Sequence, residues 1–191
     1  MQTHHDQLIC WLLATPAVGR ATPDPLPPTR SHAPGLRSTG LAQLRRHQLI
    51  HAWVFGGWAI ANVVVGGTGM FFTDGYWHHF HHMNAAWGSI NLIVAGAFLY
   101  QVRQLRATAS RPVLTQTERQ FRRFLRINLG LDLLYIAVGY WLNQQGAGSL
   151  THQAMLQGFG QAIMLQGVTL LSVDLLSLTI WLKRRARLQR T

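Results

Sequence analysis

The sequence predicts an all-α fold: an antiparallel bundle of four transmembrane helices behind a disordered N-terminal tail. Three observations carry this. Four segments are apolar over about 20 residues or more, the length a helix needs to cross a hydrocarbon core. Charged residues make up 12% of the chain and hydrophobic ones 48%, whereas roughly a quarter of a soluble domain is charged. The 17 Lys and Arg residues gather in three clusters at the segment ends, the pattern of helices that stop at a membrane surface. The same clustering excludes nucleic acid as a partner despite a pI of about 11.5, because a nucleic-acid binder carries its basic residues on a water-facing surface.

Residues 1–45 form the tail. Six of the seven prolines (Pro16, Pro23, Pro25, Pro27, Pro28 and Pro34) lie here among Ser, Thr, Gly and Ala. Such a composition buries too little apolar surface to offset chain entropy, which predicts disorder. Within it, residues 8–21 resemble a signal peptide: Leu8 to Val18 is apolar and Gly19-Arg20-Ala21 follows. Met1 to Gln7 lack the Lys or Arg of a normal n-region, however,, and cleavage would leave Arg45 and Arg46 on the outer side. Cys10 is the only cysteine, so no intrachain disulfide can form.

The transmembrane domain is 46–191, with spans predicted at about 48–72, 78–102, 124–143 and 151–182. Thr73-Asp74-Gly75 is a tight turn between the first two. The third is reached through a longer link containing Pro112, and Thr115 with Glu118 reads as a capping box that starts the helix near Gln116,. Gln144 to Leu150, with Gly146 and Gly148, turns the chain into the fourth. The abundant Gly in the spans fits close helix contact in lipid. No loop is large enough for a soluble catalytic domain.

Five basic residues precede the first span, seven (Arg103 to Arg126) surround the central link, and five (Lys183 to Arg190) follow the last. With four spans these regions share one side, which places both termini in the cytoplasm. The expected location is a bacterial inner membrane, multi-pass, with anionic lipid headgroups drawn to the basic ends.

Polar residues inside a span turn toward the bundle interior, because exposing them to lipid is costly. Steps of three and four mark one face per helix. In the first span that face holds His51, Phe55, Trp58, Asn62, Gly66 and Gly69; in the second, Asn84, Trp87, Asn91, Ala95 and Phe98. The third offers Asn128, Asp132, Tyr135 and Gly139. The fourth offers Gly160, Gly167 and Asp174 at intervals of seven, with Gln166 on an adjacent face. Trp58/Asn62 and Trp87/Asn91 recur at matching spacing, as in a one-helix inverted repeat. At 1.5 Å per residue, Asp132 lies about 9 Å inside the boundary set by Arg126, Asp174 about 13 Å inside Lys183, and His51 about 7 Å past Arg46. Two interpretations follow for His51, Asn62, Asn91, Asn128, Asp132, Tyr135, Gln166 and Asp174. They form a ligand- or proton-handling site, or they are interhelical hydrogen bonds that fix the bundle.

A second cluster lies at the other end, His78-His79-Phe80-His81-His82. His78 and His82 are one turn apart, and with His81 and His152 could ligate a transition metal or a haem. The same residues, with Tyr76 and Trp77, also suit an interface belt that binds no cofactor.

Trp58-Ala-x-x-Asn62, Met83-Asn84-x-x-Trp87-Gly-x-x-Asn91, Asn128-x-Gly-x-Asp132-x-x-Tyr135 and Gln166 to Asp174 resemble a family of small bacterial membrane proteins of unknown function, over about residues 46–182. The resemblance implies a shared interior of Trp, Asn and Asp positions and carries no activity. The functions left are a non-enzymatic subunit of a membrane complex (or of a homo-oligomer) or a small-ligand binder, then a proton-coupled transporter or channel using Asp132 and Asp174, then a metal or haem redox protein. No nucleophile-and-base constellation or phosphate loop argues for an enzyme.

Overall fold

A computed structural model describes residues 34–104 and 111–188. The signal-like segment 8–21, Cys10 and the tail up to residue 33 lie outside the described residues. Four helices make up the fold: α1 (Pro34–Phe72), α2 (Gly75–Gln104), α3 (Arg111–Ala147) and α4 (Gln153–Leu188), with no strand among the described residues. Each contains a stretch of 30 to 34 residues apolar enough to cross a membrane, about 45–50 Å at the α-helical rise.

The helices overrun the predicted spans at their basic ends. The first starts at Pro34, inside the region expected to be disordered, because Leu41 and Leu44 bury their side chains. Leu44 joins Phe121, Leu125 and Trp181 in an apolar cluster that Phe98, Phe124 and Leu178 complete. The third helix starts at Arg111, ahead of the capping box expected at Thr115. Glu118 instead pairs with Arg185 of α4 at 3.0 Å and with Arg122 at 3.9 Å.

Both tight turns satisfy helix ends locally. Thr73 Oγ1 donates to the Gly69 carbonyl at 2.8 Å, the His78 ring bonds the Met70 carbonyl at 2.8 Å, and Gly75 supplies a positive φ of 54°. At the second turn the His152 amide donates to Ser149 Oγ at 3.0 Å.

The chain forms two hairpins, α1 against α2 and α3 against α4, which meet chiefly through α2 and α4. Glycine sets the spacing. A Cβ on Gly160 would come within 2.5 Å of the Gly139 carbonyl, and one on Gly158 within 2.6 Å of the Tyr76 carbonyl. Neither backbone can retreat without opening its helix pair. The fourth helix therefore contacts α3 and α2, and touches α1 as well, so it is buried on more than one side.

Polar side chains are buried beside apolar ones, while large apolar side chains face outward. Among the described residues ten buried side chains are polar: His47, Gln48, His51, Asn62, Asn84, Asn91, Asp132, Gln166, Asp174 and Ser177. Meanwhile Trp53, Val64, Val65, Phe71, Phe72, Ile93, Leu133 and Leu176 are exposed. Large apolar side chains exposed in such number along helices of this length suit a lipid-facing surface.

Candidate functional site: two polar layers in the bundle

Two polar layers occupy the interior, separated by an apolar one. The first is built on Gln166, which is 1% exposed. Its Nε2 donates to Asn62 Oδ1 and to Asn84 Oδ1, each at 2.7 Å, and its Oε1 accepts from the Trp58 indole at 2.9 Å. The two asparagines complete their own bonding within their helices: Asn62 Nδ2 donates to the Trp58 carbonyl at 2.8 Å and Asn84 Nδ2 to the Phe80 carbonyl at 3.0 Å. Every amide in the group has a partner for both its nitrogen and its oxygen. Such a network ties α1, α2 and α4 together and leaves little bonding capacity for a ligand.

Phe55, Ala95 and Leu170 form the apolar layer, with Trp58 and Val94 against it. Phe55 lies between His51 and Trp58 on α1 and Leu170 between Gln166 and Asp174 on α4, and Ala95 follows Asn91 by one turn on α2. On α3 this level carries Asp132, whose carbonyl faces Gly167.

The second layer lies toward the basic end. His51 Nε2 is 3.4 Å from Asp174 Oδ1, with both side chains almost wholly buried. Asn128 lies within hydrogen-bonding reach of the Asp174 carboxyl, and Asp132 is close enough to act on it electrostatically. Four phenyl rings enclose the imidazole. Phe55 stacks on it at 6.3 Å, and Phe98, Phe121 and Phe124 meet it edge-on at 5.9, 5.9 and 6.4 Å. One turn nearer the basic end, His47 Nε2 is 3.0 Å from Ser177 Oγ, and its ring packs on Trp181 and Phe121.

Unlike the amide layer, this one is unfinished. His51 Nδ1, Gln48 Oε1 and Trp181 Nε1 are buried without a hydrogen-bond partner, as is Asp132 Oδ2 at the neighbouring level. Asn91 Nδ2, on the far side of the apolar layer, is unpartnered too. Each such group loses its bonds to water with nothing in return, at a cost of about 1–3 kcal/mol. No Lys or Arg occurs between residues 47 and 102 or between 127 and 182, so neither carboxyl has a permanent cation beside it. What the layer offers chemically is two carboxyls and one imidazole in a dry setting, able to share protons among themselves.

The sequence-predicted residues thus divide. Asn62 and Gln166 join the amide network, His51, Asn128 and Asp174 gather in the second layer, and Asp132 lies at the level between, close enough to act on Asp174. Tyr135 packs its ring on Trp87 at 4.9 Å. The apparent repeat does not extend to roles, since Asn62 is fully bonded and Asn91 is not. His47, Ser177, Gln48 and Asn84 also belong to the layers, and the signal that could have found His47 is its spacing of four from His51.

At the opposite end the four histidines point to different neighbours. His78 caps α1 through Nδ1, and since a carbonyl only accepts, that nitrogen carries the proton,. The His81 ring lies against Gly69 and Trp77, His82 packs on Phe159, and His152 is exposed. His78 and His82 remain neighbours, their rings 6.2 Å apart. Among the described residues no three His, Cys, Asp or Glu side chains are grouped to hold a metal ion.

Fold and interior together define a class: a four-helix protein with apolar outer faces, a polar core and helices of membrane-crossing length. The chain belongs to DUF6992, a family of unknown function, whose model matches residues 54–175. That stretch includes the amide network, Asp132 and Asp174, and stops short of His47, His51 and Ser177. No curated protein and no solved structure matches the chain.

Proposed function

We propose that this is a non-enzymatic, multi-pass protein of a bacterial inner membrane, basic ends in the cytoplasm, whose interior holds an exchangeable proton on His51, Asp174 and Asp132. The exposed apolar faces support the membrane setting, and the three basic clusters support the orientation. The observation that carries the site is the His51–Asp174 pair at 3.4 Å beside a second carboxyl with an unpartnered oxygen. A buried ionisable group in a membrane helix is a functional candidate by default. Packed among four phenyl rings, this one suits the smallest polar ligand, a proton.

Carbon-13 labelling of the Asp carboxyls and nitrogen-15 labelling of the His rings, in nanodiscs, tests the site. His51, Asp132 and Asp174 should titrate as one coupled group, and Asp174→Asn should shift the titration of the other two. Three independent titrations, or no titration of any of them, would sink the proposal.

A second reading, proton-coupled transport, is favoured by Asp132, which occupies the α3 side of the level that Phe55, Ala95 and Leu170 close on the other helices. It requires pH-driven flux in liposomes that Asp132→Asn and Asp174→Asn abolish; flux unchanged by both removes it.

A further inference from the structure

We propose that the interior site exchanges its proton with the basic end of the bundle through His47 and Ser177, which form a one-sided entry. The inference rests on the proton site proposed above and adds its route and side.

Four observations support it. First, His47 and His51 are one turn apart on α1, while Ser177 and Asp174 are three residues apart on α4. The antiparallel helices therefore stack two rungs, His47 with Ser177 and His51 with Asp174, at 3.0 and 3.4 Å. Second, the outer rung crosses an otherwise apolar layer. Leu44, Phe121, Leu125 and Trp181 close the basic end of the core, and the His47 ring lies between Trp181 at 5.5 Å and Phe121 at 5.8 Å. Third, the outer rung can reverse its polarity. Ser177 Oγ donates to an unprotonated Nε2 or accepts from a protonated one, and a relay needs that freedom. Fourth, the opposite direction is apolar on three of four helices, at Phe55, Ala95 and Leu170.

The charged and titratable groups acting on His47 are Arg184 of α4 and His51 of its own helix. From α3 it meets Phe121, and Glu118, three residues earlier on that helix, is engaged by Arg185 and Arg122. Ser177 and Trp181 complete the α4 side. The step is a proton transfer alone. His47 takes a proton at Nδ1 from the aqueous side and gives the Nε2 proton to Ser177 Oγ, whose own hydroxyl proton passes on toward His51 and Asp174, so one proton enters and one moves inward. Unloading reverses the path, and no other bond changes.

The test follows loading in time. Protein is reconstituted in vesicles whose orientation is fixed by protease access to the basic C-terminal end, and the carboxyl infrared band is recorded after a pH jump on one side. The wild type should load fast from the basic side and slowly from the other. His47→Gln keeps a bond to Ser177 but removes the titratable ring, and should slow loading at least tenfold while loading still runs to completion. Should His47→Gln fold poorly, Ser177→Ala reports on the same rung and should slow loading severalfold. In His47→Ala, added imidazole should restore the rate, which a merely structural role would not do. Wild-type rates in His47→Gln without imidazole dependence, or equal loading from both sides, overturn the route. A wild type with no titrating carboxyl band at all overturns the site itself, so the two failures are distinct.

Discussion

The two polar layers use the same material, buried amides, acids and imidazoles on facing helices, and treat it in opposite ways. Around Gln166 every side-chain nitrogen and oxygen of the network has a partner, at 2.7 to 2.9 Å between side chains. Around His51 the one acid–base contact is longer, 3.4 Å, and polar atoms on three helices are left over. A finished network lowers the energy of one arrangement and specifies how the helices sit. An unfinished one costs stability, and natural proteins tolerate such costs mainly where the groups have work to do. Their difference separates the structural part of the interior from the part available for chemistry.

Breaking the finished layer should have the largest effect. Gln166→Leu removes three interhelical bonds and orphans Trp58 Nε1, Asn62 Oδ1 and Asn84 Oδ1 in a dry core. Interhelical bonds in membranes average about 0.6 kcal/mol and reach about 1.7, and orphaned partners add to the loss. The expected destabilisation is on the order of 3 kcal/mol, read as an earlier midpoint in denaturant titration of detergent-solubilised protein. A loss under about 0.5 kcal/mol would mean that the network does not hold the hairpins together.

How much of this the sequence revealed depends on the helix. The four helices and their inward faces are legible because the 3.6-residue period of Gly, Trp, Asn and Asp is strong on each. Which polar residues meet is not, because pairing depends on axial offset as well as on face. Asn84 and Asn91 share a stripe seven residues apart, and contacts such as Gly158 against the Tyr76 carbonyl bring Asn84, not Asn91, level with Gln166. By its spacing Gln166 falls on a side face of α4. It is nevertheless the most buried polar residue among the described ones, because α4 is enclosed from several directions. His47 was hidden by the adjacent Arg45 and Arg46, which suggest a solvated helix end. The burial of Leu41 and Leu44 shows that the bundle continues past them.

The unfinished layer should respond the other way. Replacing a buried ion pair as a unit by apolar residues of similar size is often neutral or stabilising, by 1–4 kcal/mol. His51 already sits among phenyl rings, so the double variant His51→Phe with Asp174→Leu should be at least as stable as wild type and should lose the coupled titration. Asp174→Leu alone, which leaves His51 without its acid, should be the less stable of the two. If the double variant lost as much stability as Gln166→Leu, the layer would be a structural network too, and the contrast would fail.

The smallest effect belongs to the exposed rim. Glu118 bridges Arg185 and Arg122 beside the proposed entry, but its side chain is 20% exposed and that of Arg185 39%. Screened pairs of this kind contribute about 0–1 kcal/mol, so Glu118→Gln should shift the unfolding midpoint by roughly 0.5 kcal/mol at most, and by less as salt is raised. The comparison gains from so small a change. If the rim contributes little, the stability difference between the Gln166 and His51 variants belongs to the interior. A loss above about 2 kcal/mol, well outside the range of exposed pairs, would instead show that the basic end is clamped by its charges, and that the unfinished layer depends on that clamp to stay closed.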